Sequence, residues 1–134
     1  MAIKIQLIRN NIKRSSSHGK YFAKSVSQGE ITFDDIAAET CRRNGISEGA
    51  IVAIVTDMKD IVKAELGKGR TVVFPGLGRF SLRVESKGVD DPSTFSIRRH
   101  ITRILCGFLP AGHRGSHRRI TYDFCEGVKV EWDK

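Results

Sequence analysis

Hydrophobic and polar residues alternate at the beginning of the chain. Ile3, Ile5 and Leu7 would share one face of an extended segment, with polar residues between them. A period of two is typical of a β-strand. A serine-rich polar segment follows, and Tyr21–Ser27 then predicts a second strand, because aromatic residues favour strands. The pattern predicts a β-hairpin within residues 1–30.

The spacing of apolar residues then changes to three and four residues, which indicates helices. Thr32 and Asp35 form a variant of the capping box, in which each residue satisfies a free amide of the other. The first helix is predicted from about Phe33 to Arg43, and it ends at Asn44-Gly45.

The second predicted helix carries a wide apolar stripe. It begins after the N-cap residue Ser47 and ends at Gly67. The apolar residues that recur at helical spacing are Ile51, Val52, Ile54, Val55, Met58, Ile61, Val62 and Leu66. Since this stripe is broader than a single small domain needs, the sequence favours an obligate dimer.

Short strands are predicted in the second half of the chain. They lie at Arg70–Phe74, Arg79–Val84, Ile101–Leu109, Arg119–Phe124 and Val128–Trp132. Pro75–Gly78 predicts a tight turn between the first two, and the last two are predicted to form a hairpin that turns at Glu126-Gly127. The polar segment Glu85–Ser96 contains helix and strand breakers, although Thr94–Arg99 could turn helical.

The chain of 134 residues has 23 Lys and Arg against 15 Asp and Glu, a net charge of +8. The charge is uneven: residues 1–27 carry +6, residues 28–67 carry −4 and residues 68–134 carry +6. Such asymmetry favours a surface that faces a polyanion, with nucleic acid as the leading class. An ordinary solvated basic surface is the alternative, and no basic amphipathic helix supports an anionic membrane.

Several other classes of protein find no support. Cys41, Cys106 and Cys125 are far apart and form no Cys-x-x-Cys pair, which favours free thiols in a reducing cytoplasm. We expect neither a membrane span nor a secretory signal. His113 and His117 have a spacing that zinc sites use, but the cysteines are isolated, so no metal is predicted. No nucleotide loop or catalytic arrangement is present, and we predict no cofactor, no small-molecule substrate and no enzyme.

The turn between the central strands carries a recognisable motif. Residues 72–82 read Val-Val-Phe-Pro-Gly-Leu-Gly-Arg-Phe-Ser-Leu and follow two short helices. This arrangement resembles the HU/IHF family of bacterial histone-like DNA-binding proteins, whose pattern is Val-x-Leu-Pro-Gly-Phe-Gly-x-Phe-x-Val. The resemblance covers about residues 31–110, and the N-terminal strands resemble a divergent HU-like branch with such an extension.

The resemblance implies an α+β fold in which two helices form the base of an intertwined homodimer and an antiparallel sheet forms a saddle. The chain would be one HU-like domain, with a β extension at 1–30, the core at 31–110 and a β-hairpin extension at 111–134. It implies a cytoplasmic, nucleoid-associated protein that binds duplex DNA through phosphates and bends it with two β-arms.

This chain departs from the family in the arm. Residues 85–97 have a net charge of −2, and Asp91-Pro92 stands where the family has Asn-Pro, whose proline wedges between base pairs. A carboxylate beside phosphates is repelled, so a long intercalating arm is not expected. Two alternatives to duplex binding stay open: a dimeric protein-interaction module that has lost DNA bending, and RNA binding by the same basic surface.

Given the resemblance, ten basic residues are candidates for phosphate contacts. They are Arg83, Lys87, Arg98, Arg99, Arg103, Arg114, Arg118, Arg119, Lys68 and Arg70. Lys4, Arg9, Lys13, Arg14 and Lys20 could extend this footprint. The dimer core is predicted to contain Leu77, Phe80, Phe108, Val55, Met58 and Val62.

Overall fold

The computed structural model describes all 134 residues, which form three small β-sheets and three α-helices, so the fold is α+β as predicted. In chain order the elements are β1 (Ala2–Arg9), β2 (Tyr21–Val26), α1 (Phe33–Asn44), α2 (Glu48–Gly67), β3 (Val72–Phe74), β4 (Gly78–Ser86), α3 (Ile97–His100), β5 (Ile101–Pro110), β6 (Gly112–Arg114), β7 (Ile120–Tyr122) and β8 (Lys129–Trp132). Short 3₁₀ turns lie at Pro92–Thr94 and Asp123–Cys125.

The N-terminal sheet has the strand order β2-β1-β8. The predicted hairpin of β1 and β2 is confirmed, with Ile5 opposite Ser25. The predicted C-terminal hairpin is wrong, because β8 pairs in parallel with β1 and places Trp132 beside Ile5. This pairing brings apolar residues of both ends of the chain onto one face, and Lys4 forms an ion pair with Glu131 on the other.

Both long helices begin at the predicted caps. The Thr32 hydroxyl accepts a hydrogen bond from the amide of Asp35, and the Asp35 carboxylate accepts one from the amide of Thr32. The Ser47 hydroxyl accepts one from the amide of Ala50. The capping predictions are therefore confirmed, because a cap depends only on residues three positions apart.

The central sheet has the strand order β3-β4-β5, and both pairings are antiparallel. The predicted turn between β3 and β4 is confirmed: the amide of Leu77 donates to the carbonyl of Phe74. Gly78 follows with φ +150°, where a Cβ atom would lie 2.4 Å from the carbonyl oxygen of Leu109. Only glycine fits this position, since both the backbone angle and the neighbouring strand exclude a side chain.

The segment between β4 and β5 is folded back rather than extended. Asp91 caps the 3₁₀ turn by accepting a hydrogen bond from the amide of Ser93, and the single turn of α3 follows. The amide of Lys87 donates to the carbonyl of His100 and closes the base of the segment. The helical turn predicted at Thr94–Arg99 is confirmed in part, because Phe95 and Ser96 are extended between the two turns. The pairing of β4 with β5 reaches to Ser86 and Ile101.

The last part of the chain differs from the prediction. β6 lies between the predicted strands Ile101–Leu109 and Arg119–Phe124, where no strand was predicted, and it pairs with β7, whose central residue Thr121 lies opposite His113. The C-terminal extension thus contains a hairpin, but β7, which lies within the predicted strand Arg119–Phe124, pairs with β6 and not with β8. Gly112 makes the pairing possible, because a Cβ atom there would lie 2.6 Å from the carbonyl oxygen of Thr121.

A single copy of the chain buries very little of itself. Among apolar side chains only Ala37, Ile51 and Leu66 are buried. The accessible surface is 11630 Å², about 4,600 Å² above the roughly 7,000 Å² expected for a folded chain of this mass. Much apolar surface is therefore left uncovered in one copy. No helix has the length and apolar character needed to cross a membrane.

Candidate nucleic-acid interface

The central sheet has one apolar face and one face, called the basic face below, on which arginines lie beside Leu105 and Leu109. Successive residues of a strand point to opposite sides, so Arg79, Arg83 and Glu85 of β4 share one face. Arg103 of β5 lies on the same face, because it pairs with Glu85. The other face carries Phe80, Leu82 and Val84 of β4. Helix α2 packs on this sheet, and Phe80 is half-buried whereas Arg79 is exposed, which places the helix on the apolar side.

The apolar face holds an aromatic cluster. The rings of Phe80 and Phe108 have centroids 4.7 Å apart, and Phe74 meets Phe80 edge to face at 6.1 Å. Phe108 nevertheless stays exposed in one copy, as do Leu77 and Met58. Of the other predicted dimer-core residues, Val55 and Val62 are half-buried on α2.

On the basic face, Arg83 lies against the neighbouring strand at a glycine. The Nε atom of Arg83 is 3.7 Å from the position that a Cβ atom of Gly107 would occupy. Arg79, Ser81, Arg83 and Gly107 line a shallow groove here. The two arginines are four residues apart on β4, hence about 13 Å, so they can contact separate phosphates.

Arg103 shares this face, but it already has a partner. Its Nε atom donates to one carboxylate oxygen of Glu85 at 2.5 Å, and its Nη2 atom donates to the other at 3.2 Å. A phosphate that approaches Arg103 therefore also approaches a carboxylate. Lys68 and Arg70 are similarly placed, because both pair with Glu65, at 3.1 and 2.9 Å.

The remaining seven predicted phosphate contacts have no carboxylate within 4.0 Å. They are Arg83, Lys87, Arg98, Arg99, Arg114, Arg118 and Arg119, and all seven side chains are exposed. Unpaired guanidinium and ammonium groups of this kind are available to bind an external anion.

The structure divides these residues into groups at different places. Arg98 and Arg99 lie on α3 beside Lys87, at the end of the central sheet where β5 begins. Arg114, Arg118 and Arg119 lie on or near the β6–β7 hairpin, which follows the opposite end of β5. A strand of ten residues separates the two ends by about 30 Å.

The histidines next to these groups have other contacts. Nδ1 of His100 accepts a hydrogen bond from the amide of Ser96 at 2.8 Å, and its ring stacks on Phe95. His113 lies 3.7 Å from both Asp123 and Glu126. The side chains that cluster are therefore His113, Asp123 and Glu126. Cys106 and Cys125 are free, exposed thiols and do not join this cluster.

Sequence reasoning missed Arg79 as a candidate site residue. Arg79 is exposed, has no carboxylate within 4.0 Å and lies on the same face as Arg83. The signal was present, because residues four apart on a strand point the same way. It was overlooked because Arg79 lies inside the turn motif, which was interpreted as a structural feature.

Comparisons with known proteins identify the family and the fold. The family model described as "HU domain fused to wHTH, Ig, or Glycine-rich motif" matches residues 1–110. Among solved structures, the chain is similar to a "Putative bacterial DNA binding protein from Bacteroides vulgatus", with a TM-score of 0.62 and 15% identity over 99% of this chain. The match spans 50% of that longer chain. No curated protein matches the sequence significantly.

Proposed function

The chain belongs to the HU-HIG family, in which an HU domain is fused to other motifs, and from this premise we propose that it is an architectural, histone-like DNA-binding protein. In this proposal a homodimer binds duplex DNA in the nucleoid, mainly through phosphates and with little sequence preference. It needs no cofactor and catalyses no reaction.

The basic face of the central sheet carries the proposal. Arg79 and Arg83 are exposed on one side of the central sheet and lack acidic partners. Each guanidinium group can form paired hydrogen bonds with a phosphate, and these contacts carry no sequence information. The groups at the two ends of β5 would extend the contacts along the duplex backbone.

A homodimer is supported by the apolar surface that one copy leaves uncovered. Ile54, Met58 and Ile61 project from α2 into solvent. Phe108 is also exposed, on the apolar face of the central sheet. Burying such residues contributes about 1.5–3 kcal/mol each, so a second copy would stabilise the fold strongly. The homodimer would also carry two basic faces, one from each copy.

Binding to a short duplex of arbitrary sequence across a salt series tests the proposal. We expect tight binding at low salt that weakens steeply as salt rises, because phosphate contacts release counterions. The double variant Arg79→Gln/Arg83→Gln removes four charges from a dimer and should flatten the log–log slope by about 3 to 4. The control Lys24→Gln/Lys129→Gln removes as many charges from the N-terminal sheet and should leave the slope nearly unchanged.

A protein-interaction module is the second candidate, and the folded segment after β4 is the observation that favours it. Asp90, Asp91 and the capped turn stand where an extended basic arm would bend DNA. If the protein fails to bind any duplex even at low salt, the DNA proposal is wrong. A preference for single-stranded or A-form ligands would instead favour RNA.

A further inference from the structure

The N-terminal sheet also has one apolar face. In the observed register, Ile3 lies beside Val130, Ile5 beside Trp132 and Leu7 beside Ala23, and all six share one side of the sheet. Tyr21 lies at its rim, opposite Arg9. The other side is mixed: it carries Ile8, Phe22 and Val26 as well as the ion pair of Lys4 with Glu131 and the polar residues Gln6, Lys24 and Lys129.

This apolar face is open to solvent in one copy. The exposed fraction is 54% for Leu7, 61% for Val130 and 61% for Trp132. None of the three strands packs extensively on the helices or the central sheet of its own chain. An antiparallel or mixed sheet of this kind normally packs its apolar face and solvates the other. A contiguous apolar surface left open therefore marks an interface.

The uncovered area is too large for the helices to account for alone. An obligate dimer interface of about 5,000 Å² removes only about 2,500 Å² from each copy. That is little more than half of the excess of about 4,600 Å² over a chain of this mass. The area left over is of the size that a second contact surface would bury, and the face of the N-terminal sheet is a continuous apolar surface outside the central sheet and α2.

We propose that a second copy of this chain covers the apolar face of the N-terminal sheet. The inference rests on the homodimer of the proposed function, but it does not depend on DNA binding. In a two-fold dimer the same surface of each copy contacts the other copy. Both apolar faces are then covered, and no uncovered face is left to bind further copies. The sheet would then hold the first and last strands of the chain against the partner subunit.

Trp132 is the only tryptophan of the chain, so its fluorescence reports on this face alone. We expect short-wavelength emission and weak quenching by acrylamide in the assembled protein. Dilution through the dimer dissociation range should shift the emission to long wavelength and increase quenching several-fold. Long-wavelength emission with strong quenching at concentrations where sedimentation shows a dimer would overturn the inference.

Two variants separate this surface from the rest of the protein. Leu7→Glu places a charge on the apolar face and should raise the dimer dissociation constant at least tenfold. Lys24→Glu changes the charge on the opposite face of the same sheet and should leave it unchanged. If Leu7→Glu does not fold, the wild-type fluorescence still decides the question.

The outcomes also distinguish this inference from the proposed function. A wild-type protein that binds DNA as a dimer with Trp132 exposed would contradict the inference alone. A dimer with Trp132 protected and no DNA binding would contradict the DNA proposal alone. Protection of Trp132 that persists in a demonstrated monomer would show that the chain covers its own face, which overturns the inference.

Discussion

The Arg83 guanidinium lies where a side chain at Gly107 would project. A Cβ atom at Gly107 would be 3.7 Å from Nε and 3.8 Å from Nη2 of Arg83. Gly107 lies opposite Ser81, two cross-strand pairs away from the pair of Arg83 and Leu105 and therefore on the same face of the sheet. The missing side chain thus leaves room for the arginine to lie across β5 on the basic face.

The first prediction follows from this spacing. Gly107→Leu should displace Arg83 and weaken DNA binding about tenfold, because a hydrogen bond to a charged group contributes about 1.5 kcal/mol. Gly107→Ala should bind almost as the wild type does, since 3.7 Å is an ordinary contact distance. Fluorescence anisotropy with a labelled duplex measures both. Equal loss in the two variants would show that the glycine matters for the backbone and not for Arg83.

The second prediction concerns the ion pair of Arg103 with Glu85. Glu85→Gln removes a carboxylate from the basic face and frees Arg103, so affinity for duplex DNA should rise about threefold. Glu30→Gln changes the net charge equally in the segment before α1 and should leave the affinity unchanged. A similar rise in both variants would mean that net charge, rather than this face, controls binding.

The third prediction concerns the turn between β3 and β4. Gly78→Ala should lower the free energy of unfolding by about 3 kcal/mol or more, because the new methyl group meets the Leu109 carbonyl in a backbone conformation that only glycine adopts freely. Gly76 also has a positive φ, of +79°, but no atom lies within 4 Å of the position that the Cβ atom of Gly76→Ala would take. This substitution should cost about 1 kcal/mol. Urea unfolding at one fixed protein concentration compares the two variants.

Local signals made much of the fold predictable. The caps at Thr32 and Ser47 lie three residues from their partners, and the turn before Gly78 depends on four consecutive residues. Such features are visible in the sequence because their geometry needs no distant element.

The pairing of β8 with β1 has no such local signal. Lys4 and Glu131 are 127 residues apart, and the alternation at Val130 fits a hairpin as well as a parallel edge strand. The sequence therefore favoured the nearer partner, which was wrong. The strand register explains a second difference. Arg103 was predicted to be available for a phosphate contact, but the alignment of β4 with β5 places it opposite Glu85, and this alignment has no local signal in the sequence.

The fourth prediction concerns stability at low pH. Hydrogen bonds from Arg42 and Arg43 lower the pKa of Glu39 to about 2, and the hydrogen bond from Lys4 lowers the pKa of Glu131. A lowered carboxyl pKa contributes stability that is complete above the unfolded-state value and is lost as pH falls through the folded-state value. Thermal stability should thus be constant from pH 7 to about 5 and fall toward pH 2.

Glu39→Gln is the matched variant for that titration. It should be less stable than the wild type at pH 7, and the difference should shrink as pH falls toward 2, where Glu39 of the folded protein is about half protonated. A difference that stays constant over the whole range would mean that Glu39 acts through helix propensity rather than through its charge.

The last prediction concerns DNA bending. Pro92 begins a 3₁₀ turn, in which the Asp91 carboxylate accepts the amide of Ser93 at 3.0 Å and the Thr94 hydroxyl donates to the Asp91 carbonyl at 2.7 Å. A proline held in this turn cannot wedge between base pairs without unfolding it. We therefore expect energy transfer between the ends of a labelled duplex to change little on binding, and Pro92→Ala to leave affinity and transfer unchanged. Arg83→Gln should lower affinity in the same assay. A large increase in transfer that Pro92→Ala abolishes would show that the segment opens into an intercalating arm on DNA.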